Sequence, residues 1–174
     1  SALRRTQALV LVPTRELAAQ VGDTVRELSR HLPDPVKVAV VFGGVSINPQ
    51  MMGLRGGAEV VIATPGRLLD LVDHNALRLN EVAMLVLDEA DRLLDSGFAD
   101  EVARVLALLP PKRQNLLFSA TFPPAVQALT QALLHEPATV DVASEPSSRP
   151  PIVQRAVEVD AARRTPLLGH LLRQ

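Results

Sequence analysis

Ala83-Met84-Leu85-Val86-Leu87-Asp88-Glu89-Ala90-Asp91-Arg92-Leu93-Leu94 decides the fold of this 174-residue chain. Its first half is a short apolar run without polar alternation, the pattern of a strand buried on both faces of a sheet. Three carboxylates follow within four residues, Asp88, Glu89 and Asp91, and then apolar residues at helical spacing. A parallel sheet presents its ligand site where strands give way to loops and helices, and these acids stand at such a junction. An acidic first turn, favoured by the helix macrodipole, is the competing reading. The flanking sequence has to discriminate.

Working outward, Gln7 to Val12 reads as another buried strand, Lys37 to Phe42, Ala58 to Ala63 and Gln114 to Phe118 read as strands, and Ala138 to Val142 as a last short one. Helical patterns lie between them. Thr14 is placed to cap a helix that runs to about Arg30, with Leu17, Val21, Val25 and Leu28 on one face. Ser46 opens a short helix toward Leu54. Thr64-Pro65-Gly66-Arg67 is a Thr cap with Pro at the first helical position. Further helices are predicted from Phe98 to Leu109 and from Pro124 to Leu134. The alternation predicts an α/β fold, a parallel sheet covered by helices on both faces. Thr14-Arg15, Gly43-Gly44, Thr64 to Arg67, Asp88 to Asp91 and Ser119 to Thr121 all follow strand C-termini. In a parallel sheet they share one edge, which is the expected functional face.

Composition narrows the function classes. Hydrophobic residues are 47% and charged residues 21%, ordinary for a globular domain. No run of about 18 apolar residues suggests a membrane span, no export signal is visible, and the absence of cysteine excludes disulfides and thiolate metal sites. A cytoplasmic protein is expected. The formal net charge is −1, and the aromatic content of 2% argues against a base-stacking surface. Nucleic acid would have to be held by its phosphate backbone.

Beyond Val142 the pattern changes. Residues 144–151 are a Pro/Ser-rich linker. Residues 152–174 carry a predicted strand, Ile152 to Val159, and a predicted helix, Arg163 to Leu172. These read as the opening of a second domain, leaving residues 1–143 as the first.

The chemistry of the edge follows from residue types. Asp88 and Glu89 are adjacent, so their side chains diverge at a strand-to-turn junction. One can hold Mg²⁺ through water while the other orients or deprotonates an attacking water. Asp91 is placed to accept hydrogen bonds from Ser119 or Thr121, although these hydroxyls also suit helix capping before Pro123. Thr14, Ser46 and Thr64 mark helix N-termini whose backbone N–H groups suit phosphate oxygens, and Arg15 and Arg67 add positive charge beside them. Gly43-Gly44 admits a close backbone approach. Together these make a phosphate-backbone track without sequence preference.

The ordered set Pro13-Thr14-Arg15-Glu16-Leu17-Ala18-Ala19-Gln20, Gly43-Gly44, Thr64-Pro65-Gly66-Arg67, Asp88-Glu89-Ala90-Asp91 and Ser119-Ala120-Thr121 resembles the DEAD-box RNA helicases, their motifs Ia, GG, Ib, II and III. The resemblance is nearest to bacterial members such as the RhlE-like group. It covers residues 7–142 as part of a first RecA-like three-layer domain, with residues 152–174 like the start of the second. It implies ATP and Mg²⁺ as cofactors and single-stranded RNA as partner, with local duplex unwinding when two domains close. Asp88 would bind Mg²⁺-ATP through water and Glu89 would activate the hydrolytic water. Asp91, Ser119 and Thr121 would couple hydrolysis to closure. Pro13, Thr14, Arg15, Gly43, Gly44, Thr64, Gly66 and Arg67 would line the RNA backbone, and the helix from Pro65 would bend one strand.

The departures from the family pattern are specific. No Gly-x-x-x-x-Gly-Lys-Ser/Thr phosphate loop occurs, and the only lysines, Lys37 and Lys112, do not follow glycine. The adenine-reading Gln motif is also missing. The chain is expected to begin between motifs I and Ia and, alone, neither to bind ATP tightly nor to hydrolyse it. Without a phosphate-loop strand beside it, Gln114 to Phe118 is expected to be an apolar edge, prone to self-association or to pairing with a complementing chain around Leu116 to Phe118. Two other classes compete. A receiver domain would need an acidic pair after the first strand, where Pro13-Thr14-Arg15 stands. A non-catalytic RNA-binding or scaffold role is the stronger rival.

Overall fold

The computed structural model describes residues 4–95, 97–142 and 156–173. They fall into two compact units, Ser1–Pro137 and Ala138–Gln174.

The first unit is built on five parallel strands, β1 (Ala8–Leu11), β2 (Val38–Val41), β3 (Val60–Ala63), β4 (Met84–Leu87) and β5 (Gln114–Leu117), in spatial order β2-β3-β1-β4-β5. The apolar runs β3, β1 and β4 form the central strands because each has both faces to bury, and β2 and β5 form the edges. Leu9, Leu11, Val61, Ala63, Leu85 and Leu87 point to one side. There they meet α3 (Pro65–Asp73), α4 (Ala90–Asp95), α5 (Ala99–Leu108) and α6 (Pro124–Leu133) through Leu68, Leu71, Leu93, Val105 and Leu133. Val10, Val12 and Ile62 point to the other side and pack on Ala18, Leu17 and Val21 of α1 (Arg15–Ser29). Both faces therefore carry helices. The α1 face is covered over β2, β3 and β1; farther along it Met84 and Phe118 are 38% and 53% exposed.

The topology positions the site. From β1 the chain steps to β2 and returns to β3, and from β3 it crosses to β4 on the opposite side of β1. The switch point lies between β1 and β4, where an open α/β sheet makes its ligand crevice. The register is flush: Leu11 pairs with Ala63 and Leu87, Val41 with Ala63, and Leu87 with Leu117. All five strands thus end at one level.

The second unit contains a 3₁₀ turn (Ala161–Arg163) and α7 (Arg164–Leu171), the helix expected there. The strand expected over Ala138 to Val142 is not formed. Val140 and Val142 are 86% and 84% exposed, with no ladder partner among the described residues, and such a segment becomes a strand only when another backbone pairs with it. The linker 144–151 lies outside the described residues, as do residues 152–155 of the strand expected over Ile152 to Val159; residues 156–159 have no regular structure. No helix among the described residues is long and apolar enough to cross a membrane.

Candidate functional site

Read across the C-terminal edge in spatial order, the strands deliver Gly43-Gly44, then Thr64 to Arg67, then Pro13 to Arg15, then Asp88 to Asp91, then Ser119 to Thr121. The five sequence features are sorted into two halves. The three phosphate-track segments are contiguous on β2, β3 and β1, and the acids and their hydroxyl partners occupy β4 and β5. Neighbouring strands stand about 4.8 Å apart, so the boundary between Thr14 and Asp88 is one strand spacing wide.

The acid half is held tightly. Asp88 N–H donates to Leu11 O at 3.0 Å, and Asp88 Oδ1 accepts from Glu89 N–H at 2.9 Å. Glu89 has φ +50, a left-handed backbone that a non-glycine residue keeps only where its surroundings over-determine it. That turn sends the Glu89 carboxylate away from the strand axis, and Oε2 accepts from Arg92 Nη1 at 2.8 Å. Both acids are half-buried. Asp88 fits Mg²⁺, which keeps several waters and needs only one or two protein carboxylates alongside phosphate oxygens. No group of three or more His, Cys, Asp or Glu among the described residues is arranged to hold a metal ion by itself. ATP is fitted less well: these 174 residues contain no Gly-Lys phosphate loop.

Asp91 is buried at 9% exposure. Its Oδ2 accepts from Thr121 Oγ1 at 2.7 Å and Thr121 N–H at 3.2 Å, and Oδ1 accepts from Arg92 N–H at 3.0 Å. The Thr121 hydroxyl, more than any other group, holds the Asp91 carboxyl below the usual carboxylate range, against the opposing effect of burial. Ser119 is hydrogen-bonded to both partners. Its Oγ accepts from Asp91 N–H at 3.2 Å and donates to Thr121 O at 2.7 Å, and its hydroxyl also helps hold the Asp91 carboxyl low, less than Thr121 does. The three residues form one closed network linking β5's exit to the start of α4.

The track half departs from the capping pattern in instructive ways. Thr14 caps α1 as expected, with Oγ1 accepting from Leu17 N–H at 3.2 Å. Thr64 makes no side-chain cap; its hydroxyl accepts from Gly43 N–H at 3.3 Å and ties the glycine turn to β3. Ser46 caps nothing: α2 (Asn48–Gly53) begins two residues later, after Ile47. Gly44 has φ +80, which demands glycine, and a Cβ there would lie 4.0 Å from Arg15 Nη1. The Arg15 guanidinium therefore reaches across the edge to the glycine turn; it also pairs with Glu16 at 2.7 Å and is exposed.

Arg67 is the unexpected member. It is buried at 8% exposure. Nη2 donates to Val45 O at 2.7 Å, and Nε stands 3.5 Å from Asp70 Oδ2. Nε and Nη1 have no hydrogen-bond partner. A buried unsatisfied polar group costs about 1–3 kcal/mol, and more when charged. Arg67 is one of the residues lining a cavity of about 250 Å³ bounded also by Pro13, Arg15, Gly43, Thr64 and Gly66. Six of the eight expected track residues thus line one cavity.

Two contributors escaped sequence reasoning. Phe98 completes the wall of this cavity; it reads in sequence only as a helix start after Ser96-Gly97. Gln50 Oε1 accepts from Phe42 N–H and Nε2 donates to Phe42 O, both at 3.1 Å. It substitutes for a strand neighbour at the end of β2 and fixes the glycine turn that follows. A lone glutamine in a weak helix carries no signal of that role.

Comparison with known proteins gives a consistent picture. Residues 1–129 match the family described as DEAD/DEAH box helicase. The chain is 41% identical over 172 residues to the ATP-dependent RNA helicase DbpA of Escherichia coli (strain K12), covering 99% of this chain and 37% of DbpA. It is 43% identical over 166 residues to the ATP-dependent RNA helicase DeaD of Mycobacterium tuberculosis, covering 95% and 29%. Among solved structures, the yeast DEAD-box splicing factor Prp28 superposes with a TM-score of 0.69 at 31% identity, over 76% of this chain and 32% of that one. The chain spans about a third of the length of these relatives.

Proposed function

This chain belongs to the DEAD/DEAH box helicase family, and from that premise we propose that it is the part of an ATP-dependent RNA helicase lobe that grips one RNA strand and activates the hydrolytic water. The observation that carries the reading is Arg67, buried with two unsatisfied guanidinium nitrogens at the cavity of the track. A phosphate oxygen is the partner those nitrogens lack. Pro13, Thr14, Arg15, Gly43, Gly44, Thr64 and Gly66 would provide backbone donors, charge and close approach around it, and α3, starting at Pro65, is assigned the bending of the bound strand. No base-reading side chain points to sequence preference.

In the other half, Glu89 would hold a water and take its proton as the water oxygen attacks the terminal phosphorus of ATP and the bond to the departing ADP breaks, and Asp88 would hold Mg²⁺ through water. Mg²⁺ supplies charge neutralisation on the phosphates when bound. The Asp91–Ser119–Thr121 network ties the acids to β5, so movement at one is felt at the other; we assign it the coupling between hydrolysis and strand release. Residues 152–174 are read as the opening of a second lobe, a reading supported by the DbpA alignment extending over 172 residues. Turnover requires a phosphate cradle that these 174 residues lack, which also keeps alive a second reading, an RNA-binding segment without catalysis.

Anisotropy of a labelled single-stranded RNA titrated with the 174-residue chain tests the track. Saturable binding is expected, alike for two unrelated sequences, with log K falling by roughly 0.7 per phosphate contact against log salt. Absence of binding, or strong preference for one sequence, sinks the track. Under millimolar ATP no phosphate release is expected from this chain; clear saturable turnover would refute its incompleteness.

The β5 edge completes the proposal. Among the described residues β4 is its sole ladder partner, and Phe118 at its end is 53% exposed. We assign this edge to pairing with a second copy or a complementing strand. Light scattering should show concentration-dependent dimers of the wild-type chain that Phe118→Lys abolishes. A monomer at every concentration overturns it.

A further inference from the structure

The opposite edge of the sheet, where the strands begin, carries an open cavity of about 990 Å³ that the helicase reading does not use. It is separated from the RNA track by the length of the four-residue strands, about 13 Å. Its chemistry is two-part. Leu54 and Leu77, 3% and 6% exposed, form a floor with Met51, and Met52 stands 62% exposed beside it. Around this floor lie Arg4, Arg5, Arg55 and Arg78, with Glu81 as the one carboxylate in the lining. This excess of cations occurs in a chain whose formal net charge is −1.

The arginines are not equivalent. Arg4 pairs with Glu59 and Arg5 with Glu81, each at 2.7 Å. Arg55 and Arg78 have no side-chain acceptor among the described residues. The wall is also firmly built. Arg4 N–H donates to Gly56 O at 2.9 Å and Thr6 Oγ1 to Ala58 O at 3.2 Å. Gly57 has φ +79, and a Cβ there would fall 1.9 Å from Arg4 O, so the segment bearing Arg4 and Arg5 is seated directly on the glycine turn.

We propose that this cavity is a docking site for an acidic peptide segment of a partner protein, anchored by an apolar side chain on the methionine-leucine floor and held by Arg55 and Arg78. Charge complementarity selects an acidic ligand. The floor selects a peptide over RNA: a phosphate backbone would leave Met52, 62% exposed, uncovered, and no Phe, Tyr or Trp lines the cavity to stack a base. Methionines adapt to varied apolar anchors, and arginine is among the residues that dominate interface energies. The site is independent of the proposed RNA track, so either can fail without the other.

Selection of a random-peptide display library on the 174-residue chain tests this. The enriched peptides are expected to combine Asp or Glu with a Leu, Ile, Met or Phe a few residues away. A synthetic copy of the best should bind saturably, and R55E/R78E should weaken it by at least about ten-fold. Met52→Lys should weaken it too, without changing RNA affinity. All three side chains are exposed, and circular dichroism melting of the variants checks that folding is kept. Enrichment of neutral or basic peptides, or equal binding to R55E/R78E, overturns the proposal. So does a library yielding nothing while R55E/R78E loses RNA affinity, which would assign the arginines to nucleic acid.

Discussion

Glu89→Gln is expected to lower RNA-stimulated ATP turnover by roughly 10²–10⁴-fold, the range general-base catalysis contributes, while single-stranded RNA affinity stays unchanged. The substitution is chosen for what it keeps. Gln has the same length, and its carbonyl oxygen can still accept from Arg92 Nη1, now 2.8 Å from Glu89 Oε2. The left-handed backbone at φ +50 costs Gln what it costs Glu. Only the capacity to take a proton is lost. The RNA track lies on the other three strands, so it has no reason to respond. The measurement needs a chain that joins these residues to a Gly-Lys phosphate loop and a second lobe, assayed for phosphate release with and without RNA. Unchanged turnover in Glu89→Gln removes the general-base role. Loss of RNA binding together with turnover would mean that the two halves of the edge are not separable as the strand order suggests.

The parallel sheet was readable because β1 to β4 are uninterrupted apolar runs, and because every strand ends in polar residues that a parallel arrangement must bring to one edge. The order of the strands was not readable. Which neighbour a strand chooses depends on crossovers, and nothing in Val38–Val41 says that it pairs with Val60–Ala63 rather than Ala8–Leu11. That order separates the track from the acids. The misread elements share one cause. Ala138 to Val142 has strand composition without a pairing partner in the described structure, and Thr64 has cap composition but finds Gly43 N–H closer to hand than its own helix. Local pattern states what a residue is able to do; competition among partners settles what it does. Arg67 is the clearest instance. As sequence it is a surface cation at a helix start, whereas in the fold it is buried and short of acceptors.

This makes Arg67→Met the sharpest test of the track, because stability and binding should move apart. Met keeps about the length and apolar volume of the arginine's aliphatic stem and removes the charged head. RNA affinity is expected to fall by about 10- to 150-fold, the equivalent of one charge-assisted hydrogen bond of roughly 1.5–3 kcal/mol. Thermal stability of the free chain should stay level or rise. The variant loses the bond to Val45 O, but it also removes two unsatisfied nitrogens and a buried charge that in the free protein has only a 3.5 Å contact with the exposed Asp70 carboxylate. Replacing an incompletely paired buried charge by an apolar group is often neutral or stabilising. Arg67→Lys should fall between, since a point charge survives and the two-pronged fork does not. A structural strut predicts the opposite pair of results: a melting temperature several degrees lower in Arg67→Met, with RNA affinity per folded molecule intact. Such a function-for-stability exchange is what a binding residue held ready in the empty protein should show, and the two readouts together decide which of the two Arg67 is.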